Sequence, residues 1–340
     1  MCGFLFISLE GKKMKKGIKG IVLSLWIILM LVACASPTEN KDDIKVIGVL
    51  QWVTHPALDA TLTGLQDELE AQGIDSTKVE WVIKNADGQA ANADLIAKQF
   101  VSDGVDLIYA IATPAAQAAV NATLGSDLPV VFNAVTDAVV AGLVETNERP
   151  GGNVTGVSDA APLELQIQLI KDFLPEAQKI GMLYNLGEVN GKIQVEQVQA
   201  LSSQFNLEVV AMGVTNNDEI ASAMTQLVSE VDAIYNITDN LIVTATSIIV
   251  DKANSANIPV FAAENGAMDL GLLAVDGLSY EKLGRQAGSI VNDILFNQKS
   301  PAEIAVSGAV DTSLEINVKV AELLGITIPE SLKARATLVE

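Results

Sequence analysis

Two turns in this sequence carry groups able to hold opposite charges. Thr113-Pro114-Ala115 places a hydroxyl and then a proline at the start of an apolar helix. This pattern of N-cap and N1 residues leaves the N–H groups of Ala115 and Ala116 free to face an anion. Asp239-Asn240 stands at the corresponding place in a second, similar segment and offers a carboxylate to a cation. Each turn alone also reads as an ordinary helix cap. Together they suit a small zwitterion, with the Thr113 turn on its carboxylate and Asp239 on its ammonium. Thr136-Asp137 and Glu188 are alternative counter-ions. Gln51, Trp52, Tyr184, Asn185 and Glu264 complete a set of polar or aromatic strand-end positions, of which Trp52 and Tyr184 could wall an apolar pocket. Phe132 and Phe261 sit inside apolar runs and read as core. His55 is the one histidine of the chain; with Asp59 a helical turn away it reads as a surface contact rather than a general-base pair. One histidine without a free thiol does not make a zinc or copper site, and no metal or cofactor is expected. Nucleophile-elbow, zincin, P-loop and dinucleotide fingerprints are absent from the sequence, so no catalytic residue is assigned.

The elements that must position these residues follow an alternating pattern. Short apolar runs at 45–51, 78–84, 105–112 and 128–135 are separated by amphipathic stretches at 56–72, 88–103 and 114–124. Apolar strands alternating with helices predict a parallel sheet covered on both faces. After Arg149-Pro150-Gly151-Gly152-Asn153, a segment that reads with Val154-Thr155-Gly156 as a turn and hinge, the alternation restarts: helices 162–174, 190–206, 217–229 and 240–257 with strands 178–185, 207–214, 231–238 and 258–263. The halves share a repeat. VDLIYAIAT at 105–113 matches VDAIYNITD at 231–239, and LPVVF at 128–132 is matched by IPVF at 258–261. The expected fold is therefore α/β, two similar lobes, each a doubly wound parallel sheet, joined by hinge crossovers. The first lobe takes 44–156 plus about 281–300, the second 157–280, and 301–340 forms a C-terminal segment packing across the lobes. In such sheets ligands lie beyond the carboxyl ends of the strands, which is where the residues named above fall. The helix from Tyr280 to Phe296 is expected to return to the first lobe, so that the lobes can close on a hinge.

The N-terminus sets the compartment. Five lysines precede an apolar run from Ile21 to Ala33 that ends at Cys34, which reads as a signal peptide over 1–33, with Met14 as a better start than Met1. Thirteen apolar residues fall short of the roughly 20 needed to span a bilayer. Leu31-Val32-Ala33-Cys34 has the order of a lipidation site, and a diacylated Cys34 supplies the two chains that stable anchoring requires. Residues 34–43 are polar and read as a flexible tether. The net charge is −21, and removing residues 1–33 takes five lysines and one glutamate and leaves −25. Such a charge opposes nucleic acid as a partner.

Several stretches together carry a family resemblance: IGVLQWVTHPALDATLTGL (47–65), AIATPAAQA (110–118), FNAVTDAVVAGLV (132–144), PGGNVTGVSD (150–159), YNLGEVN (184–190), VDAIYNITDN (231–240) and YEKLGRQAG (280–288). They resemble the substrate-binding lipoproteins of ABC importers that include tryptophan- and tyrosine-binding members. The resemblance implies a periplasmic-binding-protein architecture in which the Thr113-Pro114-Ala115, Thr136-Asp137 and Asp239-Asn240 turns contact the ligand. Gly191 stands where relatives often carry serine, Ala138 where they carry proline, and Met268-Asp269 where basic residues are common. The implied function is an extracytoplasmic lipoprotein receptor, a monomer and not an enzyme, that captures an amino-acid-like solute and delivers it to an ABC permease and its ATPase. A sensor that signals ligand occupancy uses the same fold, and a lipoprotein enzyme is the alternative from another class.

Overall fold

The computed structural model describes residues 44–308 and 311–340. The signal peptide, Cys34 and the tether lie outside the described residues. The first half builds β1 (Lys45–Gln51), α1 (Pro56–Ala71), β2 (Val79–Asn85), α2 (Ala90–Asp103), β3 (Leu107–Ile111), α3 (Thr113–Ala122), β4 (Val130–Val135) and β5 (Val154–Ser158). These strands form one parallel sheet in the order β2-β1-β3-β4-β5. All residues of β3 and β4 are buried, as expected for parallel strands covered on both faces.

The second half builds α4 (Leu163–Phe173), β6 (Lys179–Asn185), α5 (Val189–Ser202), β7 (Glu208–Val214), α6 (Asn217–Leu227), β8 (Ala233–Asn236), α7 (Asn240–Thr244), α8 (Thr246–Ser255), β9 (Val260–Glu264) and β10 (Ala274–Leu278). The chain then continues through α9 (Tyr280–Leu295), β11 (Thr312–Asn317), α10 (Val318–Leu323), α11 (Glu330–Lys333) and β12 (Thr337–Val339). Its sheet runs β12-β11-β10-β9-β8-β6-β7, with β11 antiparallel to β10 and the other pairs parallel. The sequence repeat occupies β3 with β4 and β8 with β9, each pair adjacent in its own sheet. Its two tyrosines, Tyr109 and Tyr235, are fully buried.

Several boundaries differ from the sequence reading. The segment read as hinge, 151–156, turns at Gly151-Gly152, both with positive φ, and then continues as β5, so the first sheet extends to Ser158. A short Val-Thr-Gly-Val run between glycines shows too few alternations to register as a strand. The helix read as 240–257 is two helices separated at Ala245. The C-terminal segment divides: Ser307 bridges Val157 of the first sheet, whereas β11 and β12 complete the second.

α9 leaves the second sheet after β10 and packs along α1. Gly64 and Gly284 permit this contact, since a Cβ on Gly64 would lie 2.1 Å from the Glu281 carbonyl oxygen and one on Gly284 would lie 2.2 Å from that of Thr61. Two helices thus meet backbone to backbone, and the second crossing between lobes is fixed at its far end.

Candidate functional site: the cleft between the two sheets

The carboxyl ends of both sheets face one another across a narrow void of about 10 Å³. Its polar lining comes from His55 at the start of α1, Asp159 just after β5, Asn190 on α5, Thr238 before α7, Asn240 on α7, Glu264 ending β9 and Tyr280 opening α9. Each is less than a tenth exposed. Four of their polar atoms have no hydrogen-bond partner: both ring nitrogens of His55, Oδ1 of Asp159 and Oδ1 of Asn190. Buried polar atoms are nearly always partnered, and each lost partner costs about 1–3 kcal/mol, so a cluster of unpartnered atoms around one void marks a place where water or a solute supplies the partners.

The electrostatics of the void are one-sided, with no lysine or arginine among its lining residues. Burial raises the Asp159 carboxyl to about 6, against the bond it accepts from the Tyr280 hydroxyl at 2.8 Å. Burial likewise raises Glu264 to about 7, although its Oε2 accepts the Gly266 N–H at 2.7 Å. Tyr280 is pushed well above its ordinary value by burial and then by the neighbouring Asp159 and Glu264. The His55 imidazole is driven down to about 4 by burial and is neutral. Two carboxyl groups and a tyrosine hydroxyl therefore gather at one part of the void, and removal from water makes their charged forms costly until a cation arrives.

The positions chosen from sequence divide into several groups. Glu264 and Asn240 line the void. Glu188 lies behind it, accepting bonds from Asn240 Nδ2 at 2.5 Å, Asn185 Nδ2 at 3.2 Å and Asn190 Nδ2 at 3.3 Å. Asp239 is fully buried and already engaged: Oδ2 accepts the Asn185 N–H at 2.6 Å, and Oδ1 accepts those of Leu241 and Ile242 at 3.1 and 3.2 Å. It ties the end of β6 to the start of α7. Its carboxyl is raised above the ordinary carboxylate range, by burial first and by Glu188 second. A Cβ on Gly191 would lie 2.2 Å from Asp239 Oδ2, so glycine at this position makes room for the tie.

Thr113 opens α3 as its first helical residue rather than as its cap, because Ala112 (φ 81°, ψ 155°) turns the chain one residue early. The Ala116 N–H bonds the Ala112 carbonyl at 3.0 Å and is not free for an anion, contrary to the sequence expectation. Pro114 and Ala115 follow Thr113 in the first turn of α3, and none of the three lines the void. Gln51 is buried, donating to the Val53 carbonyl and to Asp59. Trp52, Asn185 and Glu188 border a second depression at the rim of the cleft. Tyr184 is half-buried against the core of the second lobe. Asp137 caps its own turn through Val139 and Val140.

Thr136 has a different part. Its Oγ1 accepts Gln194 Nε2 at 3.3 Å from α5. Among the described residues this is the one side-chain hydrogen bond joining the lobes away from the crossovers. Gln194 also bonds the Thr238 hydroxyl and accepts the Thr238 N–H at 3.1 Å.

Four lining residues were missed or misread. His55, read as a surface contact, is 7% exposed, and Asp59 bonds Gln51 instead. Asp159 and Tyr280 come just after the ends of β5 and β10, at two of the crossings between lobes, and Asn190 sits in the first turn of α5. All four fall inside the stretches that carry the family resemblance, which was the one signal for them.

Two α/β lobes that meet across a void, with chain crossings between them, have the type I periplasmic-binding fold. The family model for ABC transporter substrate binding proteins matches residues 46–340, and the chain belongs to that family. It is 40% identical over 316 residues to a tyrosine-binding protein of Clostridioides difficile, spanning 90% of this chain and 91% of that protein. Among solved structures, a Streptococcus pneumonia domain in complex with L-Trp is 38% identical, with a TM-score of 0.84, covering 87% of this chain and all of that one. A ligand-free, open substrate-binding protein from Clostridium difficile is 40% identical and covers 87% of this chain and 99% of its own, with a TM-score of 0.68. At nearly equal identity the L-Trp complex superposes better on this chain than the ligand-free, open structure does.

Proposed function

We propose that this protein is the lipid-anchored receptor of an ABC importer, holding an amino acid with an aromatic side chain between its lobes and handing it to the permease. The observation that carries the reading is the closed void with unpartnered acceptors, Asp159 Oδ1 and Asn190 Oδ1, beside the buried Glu264 carboxyl. These groups call for hydrogen-bond donors carrying positive charge, and an ammonium group supplies both. Asp159 is the principal ammonium partner, oriented by Tyr280, with Glu264 alongside. Leu58, Ala134 and Val243 give the void apolar wall. A relative that binds tyrosine and a neighbour solved with L-Trp support an aromatic ligand. Export through residues 1–33 and acylation at Cys34 place the receptor outside the cytoplasm beside its permease. As the void is narrow, the solute enters while the lobes stand apart, and closure then removes it from water.

Titration calorimetry of the chain lacking residues 1–33, with Cys34→Ser, tests the reading against L-tyrosine, L-tryptophan, leucine, nucleosides and sugars. Tight binding of an aromatic amino acid, reduced at least tenfold by Asp159→Asn, is the expected result. Saturable binding of a sugar or nucleoside, with no amino acid bound, would overturn it.

A further inference from the structure

His55 is the most completely unsatisfied polar side chain of the cleft. It is 7% exposed, and neither ring nitrogen makes a well-formed hydrogen bond, Asn240 being the polar side chain beside it. It is also the N-cap residue of α1, a 16-residue helix, and its side chain makes no capping bond. Pro56 follows and has no N–H to offer. The N–H groups of Ala57 and Leu58 find no acceptor among the described residues, and the first bonded amide is that of Asp59, on the His55 carbonyl at 3.0 Å. A helix start with free amides carries a partial positive charge. Here it opens toward the void that His55 and Leu58 both line. The donors and the orphaned imidazole thus converge from one side, in a cleft whose lining has no other positive group.

The opposite side is close. A single point, where a Cβ on Gly266 would stand, lies 2.7 Å from Glu264 Oε2 and 3.3 Å from the Ala57 nitrogen. An anion held at the start of α1 therefore sits within a few ångströms of the carboxyl groups that call for an ammonium. In an α-amino acid the two charges are carried by neighbouring atoms on one carbon, and this spacing matches them.

We infer that His55 and the first turn of α1 form the subsite for the carboxylate of the solute, with the imidazole donating to it from one nitrogen. The inference rests on the reading of the void as an amino-acid site and assigns its second charge. It moves the anion subsite from the Thr113 helix to the other proline-opened helix of the first lobe. The groups facing His55 are Asp59 on its own helix, Asn240 and Glu264 from the second lobe, and Asp159 and Tyr280 at the crossings. Burial keeps the imidazole neutral; a carboxylate at hydrogen-bond distance favours the imidazolium.

The chain has one histidine, so its ring gives a single set of NMR signals. The experiment follows those signals in the chain lacking residues 1–33 during titration with L-tyrosine, L-tryptophan, tyramine and tryptamine, the last two lacking the carboxylate, and measures each affinity by calorimetry. Expected are an upward shift of the His55 pKa by about 1–3 units with the amino acids and binding of each amine at least tenfold weaker than that of its amino acid. In His55→Leu, that preference for the amino acid falls toward parity. The wild-type titration stands alone if the variant does not fold. Amino acids that bind with unmoved histidine signals, or amines that bind as tightly, would overturn the carboxylate subsite and leave the amino-acid receptor standing. If none of the four binds, both readings fall together.

Discussion

Asp159 and Asp239 are both buried aspartates at strand ends, and their surroundings give them different work. Asp239 spends its oxygens on three backbone N–H groups. Replacing it with alanine removes a helix cap and strands a buried amide of Asn185, so Asp239→Ala is expected to lose about 2–4 kcal/mol in urea unfolding. A variant with undiminished stability and weakened ligand binding would return Asp239 to the ligand. Asp159 keeps one oxygen free. Its raised pKa, with those of Glu264 and Asp239, has a consequence for pH. An acid whose pKa is raised by folding binds its proton more readily folded than unfolded. It therefore contributes stability at low pH that is lost as the pH climbs from the unfolded value through the folded one. His55, lowered to about 4, acts in the opposite sense between its folded and unfolded values, one group against three. The melting temperature of the unliganded protein is expected to rise as the pH falls from about 7.5 to about 5, while affinity for an ammonium-bearing solute declines over the same interval. A flat melting profile would contradict the burial of these carboxyl groups.

At the scale of elements, periodicity and repeat foretold most of what was found. The strands at 45–51 and 178–185 lie within a residue of β1 and β6, and the repeat marked the equivalent β3 and β8. β5, β10, β11 and β12 were not legible. Each is three to six residues long, and β10 carries the buried Asp276, paired at 2.9 Å with Arg335 from beyond α11, a polar residue that interrupts the apolar pattern. A strand completed by partners far along the chain need not announce itself locally. The α1–α9 contact is equally silent in sequence. Gly284→Ala forces its Cβ against the Thr61 carbonyl and is expected to cost about 1–3 kcal/mol by overpacking, read as a lowered melting temperature. An unchanged melting temperature would mean that α9 does not lie against α1 as described.

For the molecule as a whole, function depends on the balance between open and closed lobes. The Gln194–Thr136 bond belongs only to the closed arrangement, so it contributes to that balance without touching the void. Thr136→Val removes the acceptor while Gln194 keeps its bonds to Thr238. A neutral hydrogen bond contributes about 0.5–1.5 kcal/mol, so affinity is expected to fall by about two- to tenfold for every ligand alike. The ratio between L-tyrosine and L-tryptophan should stay constant, and small-angle scattering should show a more open average in subsaturating ligand. A changed ratio would make Thr136 a ligand contact instead of a closure residue.

The sequence by itself determined the α/β class, the two similar lobes and the strand ends at which to look for a site, because the alternation of apolar runs is a local property that every segment displays. It named Asn240 and Glu264 among the void-lining residues. The tertiary structure decided which strand-end groups face the void and which are consumed by the fold. Thr113 and Asp239 have the residue types of a binding pair, but Thr113 does not line the void and three backbone N–H groups already engage Asp239. His55, Asp159 and Asn190 carry no local mark, since what distinguishes them is the missing partner, and whether a partner is missing is known only once the second lobe is in place.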